Sequence, residues 1–292
     1  MTCAASFGLL SAQAQILEYK FNDSGTTSAS TGSTTTAVSF LNSADTAADL
    51  HGGAGSGVSG LSGDKAFDNT ASTGMGSAGI GGRATGGDIG TIDSLTSFTL
   101  QGWLYIPAST PASISGARLF EKNQDANNQF SVQYHRTGTN GALSLSLGTP
   151  SLSAASAFSA GNATFGTDAA WLFFAVTYDG TVASNNVKFY YGTTGTSVVQ
   201  LGTTQTLNGG TLGSNTGSFI IGNLNGNSRP WDGLLDNMRV YGATSGSGGA
   251  LSSSALETLR AADAIPEPQI VAVLALGVVF SVFRRRNLRQ RQ

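Results

Sequence analysis

The chain of 292 residues contains 40 glycines, and only 11% of its residues are charged. Five of its 15 basic residues follow Phe283, so the preceding part holds ten basic and 17 acidic residues, a net charge of −7. This balance argues against nucleic-acid binding, which needs clustered Lys and Arg, and is compatible with cations such as calcium and with neutral glycans. The composition also argues against a helical bundle and favours many strands joined by turns.

The first 14 residues have features of an export signal peptide. Residues 4–10 are mostly apolar, and residues 12–14 (Ala-Gln-Ala) form a small-x-small site that signal peptidase would cleave before Gln15. No Lys or Arg precedes the apolar stretch, so either the true start lies further upstream or the signal is weak. The single cysteine, Cys3, falls in this segment, which leaves the exported part without a disulfide.

Short segments rich in aromatic and β-branched residues predict a series of antiparallel strands. The first covers residues 16–21 and is followed by a turn and a Gly/Ser/Thr-rich loop region, about 24–64, with one weak strand. The strongest covers residues 97–106 and ends at Pro107. The other predicted strands cover residues 118–122, 130–136, 142–147, 170–178, 187–191, 197–201, 218–222 and 233–241.

Two of these strands predict that the domain has more than one layer. Residues 171–176 are apolar at every position, as expected for a strand that is covered on both faces. In residues 233–241, Arg239 and Tyr241 point away from the apolar face. Together the strands predict two packed sheets, a β-sandwich.

A short helix is predicted at residues 251–260, after the last strand. Leu256 and Leu259 have helical spacing, and Ser253 or Ser254 could serve as the N-cap.

The last 28 residues have the pattern of a membrane-sorting segment. We predict a membrane span at about 265–283 and a basic tail at 284–292, although the strict apolar run is shorter than the roughly 20 residues of a full span. The positive-inside rule keeps the arginines cytoplasmic and places the preceding domain across the membrane. A buried helix of a soluble domain is the alternative. The motif residues are Pro266, Glu267, Pro268, Arg284, Arg285 and Arg286.

These 28 residues resemble the PEP-CTERM sorting signal of Gram-negative bacteria, whose domain we place at residues 263–292. The resemblance implies processing by an exosortase, a membrane-embedded transpeptidase-like enzyme, after passage through the export machinery. We therefore expect a protein that is exported, anchored at least transiently in the bacterial inner membrane through its C-terminal helix, and then displayed in the cell envelope or extracellular matrix.

Residues 15–262 resemble the laminin-G-like, concanavalin A-like lectin/glucanase superfamily of jelly rolls. The motifs that carry the resemblance are, in chain order, LEYKFND (17–23), FTLQGWL (98–104), LFEK (119–122), WLFFAVTYDG (171–180) and RPWDGLLDNMRVY (229–241). The expected fold class is therefore all-β, an antiparallel β-sandwich of the concanavalin A-like jelly-roll type, followed by a short helix and a C-terminal transmembrane helix. The resemblance defines a fold and not a ligand.

Catalytic groups are scarce in this sequence. Glycoside hydrolysis needs two carboxylates across the sugar bond, but Glu18, Glu121 and Glu257 are the only glutamates before the tail, and no Glu-x-Asp-x-x-Glu pattern occurs. His51 and His135 lack partners at metal-ligand or triad spacing. We therefore expect no enzymatic activity.

The jelly-roll resemblance also implies a structural calcium ion where the first and last strands meet. Asp23 and Asp236 match those two places, and no other cofactor is expected. In the alternative, Asp23 caps a turn and Asp236 accepts hydrogen bonds from loop amides.

Trp231 is the predicted platform for a sugar ring, flanked by Arg229 and Asp232 on a turn. Packing of Trp231 at the core or rim is the alternative. Trp103 and Trp171 are predicted to be core residues.

Two functions are compatible with these features. The first is a carbohydrate-binding or adhesion module that contacts exopolysaccharide or other glycans. The second is a purely structural surface or matrix protein without a dedicated ligand, and a glycoside hydrolase is the least favoured. An aromatic or acidic groove on a sheet would favour the first, and a flat Ser/Thr face the second.

Overall fold

The computed structural model describes residues 15–264, apart from residues 77–79, 109, 125–126 and 150–151. The strands in chain order are β1 (Gln15–Tyr19), β2 (Thr27–Ser28), β3 (Val38–Leu41), β4 (Phe67–Asp68), β5 (Arg83–Gly87), β6 (Ser97–Tyr105), β7 (Ser113–Gln124), β8 (Asn127–Thr137), β9 (Asn140–Thr149), β10 (Leu152–Phe158), β11 (Trp171–Asp179), β12 (Val187–Thr193), β13 (Val199–Gln200), β14 (Ser218–Ile221) and β15 (Leu234–Ala243). One α-helix, α1 (Ser253–Ala264), follows them.

The predicted terminal segments lie outside the described residues. These are the export signal at 1–14 and the sorting tail with its membrane span at 265–283. Among the described residues, no helix is both long enough and apolar enough to cross a bilayer.

The strands form two antiparallel sheets that pack as a jelly-roll-like β-sandwich. The first sheet has the order β1-β15-β6-β11-β12-β13, with β4 also paired to β15. The second sheet has the order β10-β9-β8-β7-β14-β5-β3-β2. Strands β7 to β10 follow one another as a meander, whereas the first sheet brings the first and last strands together, with Leu17 opposite Val240.

All ten predicted strands are present, most within two or three residues of the expected bounds. The sequence patterns did not reveal β2, β4, β5 and β10, and β3 is the weak strand expected in the Gly/Ser/Thr-rich region. Strands β2 and β4 have two residues each, too few for any alternation to show. Strand β5 reads Arg-Ala-Thr-Gly-Gly, which lacks the β-branched and aromatic residues typical of strands.

The main core lies between the two sheets. Aromatic rings meet there across the layers: the Phe98 ring centroid is 5.2 Å from that of Tyr178 and 6.0 Å from that of Phe130 on the second sheet. The inward row of the second sheet includes Val132 and Leu145, both fully buried. Because side chains alternate along a strand, the residues between these positions face away from the core.

Helix α1 covers the outer face of the first sheet. Leu256 and the preceding Leu251 form a second apolar cluster with Trp103, Phe173 and Tyr241. This layer explains why β11 is buried on both faces, as its sequence predicts.

The helix begins at Ser253, and the Ser252 hydroxyl accepts a hydrogen bond from the Ala255 N–H at 3.3 Å. Ser252 therefore caps the helix, and the prediction of Ser253 or Ser254 is wrong by one residue.

A buried ion network fixes the helix to the sheet. The Arg239 Nε donates to Glu18 Oε1 at 2.7 Å, and its two terminal nitrogens donate to the two carboxylate oxygens of Asp263 at 2.7 Å each. The Trp103 indole N–H donates to the same Asp263 carboxylate at 3.0 Å. Burial alone would raise the pKa of Glu18, but the charge of Arg239 and a hydrogen bond from Thr31 hold it below its ordinary value. The network thus joins β1, β15, β6 and α1.

Replacement of Arg239 by Leu is expected to lower the free energy of unfolding by about 3–5 kcal/mol, because it leaves two carboxylates buried without a cation. Urea unfolding followed by circular dichroism measures the change. Lys20→Ala is the matched control: Lys20 lies 4.0 Å from Glu18 and its side chain is 46% exposed, so a change below about 0.5 kcal/mol is expected. An Arg239→Leu protein as stable as the original would contradict the role of the network.

Candidate functional site

The Trp231 side chain is fully buried. Its indole N–H donates to the Leu234 carbonyl at 3.1 Å, and its ring meets the Tyr134 ring edge-on, with centroids 5.3 Å apart. A sugar needs an exposed ring face to stack on, and Trp231 offers none. The prediction of a sugar platform at Trp231 is therefore wrong, and the alternative of core packing is correct. Trp103 is also fully buried, whereas Trp171 is only partly buried beside Tyr105.

The two polar neighbours of Trp231 stabilise the turn. Arg229 donates from one terminal nitrogen to the carbonyls of Gly76 and Ser115, at 2.9 and 2.6 Å. These contacts tie the turn before β15 to the start of β7. Asp232 is partly buried, and burial raises the pKa of its carboxyl group above the ordinary value. Both side chains therefore support the local fold around a buried indole.

The proposed calcium ligands are engaged by donors of the chain itself. Asp23 Oδ2 accepts from the Ser28 hydroxyl at 3.1 Å and from the Ala29 N–H at 2.9 Å, which is a turn cap. Asp236 is fully buried and accepts from the backbone N–H groups of Val58 and Asn237, at 2.8 and 2.6 Å. Burial, followed by the charge of Asp64, raises the pKa of Asp236 well above its ordinary value.

These contacts do not fit a calcium site formed by Asp23 and Asp236. Calcium takes six to eight oxygen ligands, and here Asp23 Oδ2 and both carboxylate oxygens of Asp236 already accept hydrogen bonds from the chain. Among the described residues, no group of three or more His, Cys, Asp or Glu side chains is arranged to hold a metal ion. The geometry is that of the alternative, in which Asp23 caps a turn and Asp236 binds loop amides.

A row of polar side chains lies on the outer face of the second sheet, across strands β7 to β10. The pairing places Arg118 opposite Gln133, Gln133 opposite Ser144, and Ser144 opposite Phe158. Directly paired residues point to the same side of a sheet, so these side chains share one face. We name this row the polar strip; it consists of Arg118, Gln133, His135, Ser144, Ser146, Ser156 and Phe158.

Hydrogen bonds along the polar strip hold several of its side chains in place. The His135 ring nitrogen Nε2 lies 2.8 Å from the Ser144 hydroxyl, and the hydroxyls of Ser146 and Ser156 are also 2.8 Å apart. Gln133 reaches the Ser146 hydroxyl at 3.5 Å. Each of these groups keeps further donor or acceptor capacity, because a hydroxyl or an amide can make more than one hydrogen bond. Ser144 is only 1% exposed, so its hydroxyl positions His135, while Gln133, His135, Ser146 and Ser156 are the polar groups of the strip that can contact a hydroxylated ligand.

His135 is kept neutral by its surroundings. Burial, and then the positive charges of Arg118 and Arg229, hold the pKa of His135 below its ordinary value. A neutral imidazole has one donor and one acceptor nitrogen, whereas the charged form only donates. His135 can therefore both accept and donate hydrogen bonds at neutral pH.

Phe158 gives the polar strip an aromatic group at its edge. The exposed large apolar side chains among the described residues are Ile80, Phe158, Val182 and Val199, and Phe158 is the one aromatic residue of these four. Its side chain is 55% exposed, and its ring lies 5.5 Å from the His135 ring, tilted by 59°. An exposed aromatic face beside hydrogen-bonding groups is a common arrangement at ligand sites.

Sequence patterns gave little indication of the polar strip. Its serines alternate with the leucines of β9, which predicts a solvent-facing side but no binding role. Strand β10, which carries Phe158, reads Leu-Ser-Ala-Ala-Ser-Ala-Phe and was not predicted as a strand. The strip depends on cross-strand register, which no single segment of sequence encodes.

The sandwich and its sequence identify the family of this chain. The profile of the concanavalin A-like lectin/glucanases superfamily matches residues 79–246, more than half of the 292 residues. The chain therefore belongs to the concanavalin A-like lectin/glucanases superfamily. No curated protein has significant sequence similarity to the chain.

Several solved structures are similar to this fold. Domain 4 of AbnA, an extracellular arabinanase of family GH43 from Geobacillus stearothermophilus in complex with arabinotriose, has a TM-score of 0.52 and 18% identity, with 85% of this chain and 98% of that chain covered. The binding domain of botulinum neurotoxin DC has a TM-score of 0.49 and 11% identity, over 85% and 51%. A Ruminococcus gnavus sialidase CBM40 bound to α2,3-sialyllactose has a TM-score of 0.37 and 14% identity, over 61% and 92%.

Nuclear magnetic resonance titration of His135 is expected to give a pKa below the ordinary value of about 6.5. The unfolded chain then binds more protons than the folded chain between these two values. The contribution of His135 to stability is therefore complete above about pH 6.5 and is lost as the pH falls through the folded pKa. His135→Asn should remove this part of the pH dependence. A His135 pKa at or above the ordinary value would contradict the lowering that we attribute to burial and to the charges of Arg118 and Arg229.

Calcium is expected to leave the melting temperature unchanged. Asp23 Oδ2 and both oxygens of Asp236 accept hydrogen bonds from the chain, so neither calcium nor a chelator should alter the stability of the sandwich. Scanning calorimetry with millimolar calcium and then with chelator tests this. A calcium-dependent rise that is lost in Asp23→Asn would restore the metal site.

Proposed function

We propose that the chain is a non-catalytic glycan-binding protein and that the polar strip is its binding surface. The observation that carries the proposal is the alignment of the exposed Phe158 ring with ordered hydroxyl, amide and imidazole groups on one sheet face. The faces of sugar rings are apolar while their edges carry hydroxyl groups. An aromatic side chain beside mixed donors and acceptors matches both features.

The dimensions of the polar strip favour an oligosaccharide over a single sugar ring. The strip crosses four neighbouring strands, β7 to β10. Neighbouring strands lie about 4.8 Å apart, so the strip extends for roughly 14 Å. The arabinotriose complex of the similar Geobacillus domain supports this class of ligand, because that domain has the same fold and holds a short glycan.

The strip lacks the groups that would cleave a glycan. Hydrolysis requires two carboxyl groups flanking the glycosidic bond. None of the strip residues carries a carboxylate, and the neighbouring Glu121 is fully buried and accepts a hydrogen bond from Arg118 at 2.6 Å. A glycoside hydrolase at this face is therefore not proposed.

The terminal segments add an expected destination to this proposal. We propose that the signal at 1–14 directs export and that the tail at 265–292 anchors the protein in the inner membrane until an exosortase-type enzyme processes it. The supporting features are the Pro-Glu-Pro motif, the apolar stretch and the arginine cluster of the sequence. The glycan-binding domain would then be displayed in the envelope or the extracellular matrix.

A structural role without a ligand is the second candidate. Ser146 and Ser156 pair on this face and present hydroxyl groups, as expected of the Ser/Thr surface of a passive matrix domain. The exposed Phe158 ring favours the glycan-binding candidate, because it lies beside hydrogen-bonding groups and a sugar ring can stack on it.

Glycan-array screening of the purified protein is expected to give binding that depends on Phe158. Phe158→Ala should lower the affinity by up to about tenfold, because an aromatic contact contributes about 0.5–1.5 kcal/mol. Val199→Ala is the matched control, since Val199 is 47% exposed and lies on the other sheet. Equal loss in both variants, or no glycan bound by the unmodified protein, would favour the structural role.

Intact-mass analysis of the protein from its native envelope is expected to show two cleavages. The first mature residue should be Gln15, and the C-terminus should lie near Pro266-Glu267-Pro268. A mass that includes residues 265–292 would exclude processing of the tail. Export would then have to be tested separately, by cell fractionation. An unchanged N-terminus would contradict the signal peptide.

A further inference from the structure

A pocket lies on the opposite side of the sandwich from the polar strip. It has a volume of about 350 Å³ and is formed by the outer face of β11 and β12 together with residues 247 and 250–253, which lead into α1. Ligand pockets have volumes of roughly 300–1,000 Å³, so this one is suited to a small ligand. We name it the helix-start pocket.

Two residues with hydroxyl groups line the helix-start pocket. Thr177 and Tyr190 are only 4% and 6% exposed as whole residues. Neither hydroxyl makes a hydrogen bond to the part of the chain that the structure describes, and neither is a fully buried polar atom. Both hydroxyls therefore keep access to the pocket and can bind a polar ligand there. Burial raises the pKa of Tyr190, which keeps its hydroxyl protonated and able to donate.

The same pocket has a positive end. Lys188 lines it and makes no ion pair with any described residue. Ser253, the first residue of the twelve-residue helix α1, lines it as well. The first N–H groups of a helix have no partner within the helix and attract negative charge. Lys188 and the helix start together favour an anionic group.

The pocket also contains a hydrogen-bond acceptor. Asp179 lines it, and its Oδ1 accepts from the N–H and the hydroxyl of Thr181, at 3.0 and 2.6 Å. A carboxylate has two oxygens with about four acceptor sites, so Asp179 can accept further hydroxyl groups. Asp179 can accept hydrogen bonds from ligand hydroxyl groups, and Lys188 can bind a ligand anion. The pocket therefore favours a ligand that carries both hydroxyl groups and a negative charge.

We propose that the helix-start pocket binds the uronic acid residue of an acidic glycan. The sugar carboxylate lies toward Lys188 and the start of α1, its hydroxyls donate to Asp179, and Tyr190 and Thr177 hydrogen-bond to the ring substituents. This site is separate from the polar strip and does not depend on the glycan binding proposed there. With both sites in use, one domain can bind two glycan segments on opposite faces.

Three small probes test the proposal on the purified protein by amide chemical-shift titration. Methyl glucuronide is expected to bind and to shift the amides of Thr177, Lys188 and Ser253. Methyl glucoside, which lacks the carboxylate, and acetate, which lacks the hydroxyls, should each bind at least tenfold more weakly. Equal binding of glucoside and glucuronide would overturn the role of the anion. Acetate binding as tight as that of glucuronide would show an anion site only.

Two variants assign the interaction to the pocket. Lys188→Ala should raise the dissociation constant for methyl glucuronide about tenfold or more, because a hydrogen bond to a charged group is lost. Tyr190→Phe should raise it roughly fivefold while leaving the melting temperature unchanged, because the hydroxyl stabilises no described protein group. Unchanged affinity in both variants would overturn the proposal.

Phe158→Ala separates this site from the polar strip. It should leave the affinity for methyl glucuronide unchanged even when it weakens binding on the glycan array. A parallel loss of both activities would place the acidic sugar on the strip and overturn the second site.

Discussion

The fold depends on one buried cation. Arg239 sits on the last strand with its charged group in a space enclosed by the first sheet and α1, and it satisfies the carboxylates of Glu18 and Asp263 at once. A cation buried in this way is costly unless its partners are fixed, so the positions of β1 and α1 follow from its requirements. This network, together with the apolar cluster around Leu256, holds the third layer of the domain and therefore the pocket at the helix start.

The sequence predicts the sandwich well but not its third layer. Strands such as β6 and β11 are predictable because they contain long runs of aromatic and other apolar residues. The outward positions of Arg239 and Tyr241 correctly indicate a second face, yet nothing in the alternation shows that a helix covers it. That information lies in contacts between distant residues, such as the hydrogen bond from Trp103 to Asp263 of the helix, 160 positions apart.

The candidate sites were harder to predict than the fold for a related reason. Trp231 is of a residue type that often binds sugars. It is buried here because it packs against the ring of Tyr134, which lies on the second sheet. Phe158 lies in a segment of small residues that predicts no strand, and only its pairing with β9 gives it a place beside His135. Thr177 and Tyr190 lie on strands with many apolar residues, which predict core packing and no ligand pocket. In each case register and layering, rather than residue type, decide exposure.

The two faces of the domain differ in the way they are built. The polar strip extends across four strands and combines an aromatic edge with hydroxyl, amide and imidazole groups, and the charge of its Arg118 is paired with Glu121, so it suits a chain of sugar rings lying along the surface. The helix-start pocket is small and charged, so it suits one residue of a chain that approaches end-on. A domain with two such faces can join two polysaccharide strands without forming an oligomer.

The end of α1 has a mechanical consequence. Asp263 is the penultimate residue of the helix, and the chain continues beyond Ala264 into the segment predicted to hold it in the membrane. Tension applied through that segment reaches the sandwich first at Asp263, whose carboxylate is held by Arg239 and Trp103. The pull is therefore passed to the central strands β15 and β6 and not to the helix alone. A domain attached in this way can be tethered under shear without first unwinding its last helix.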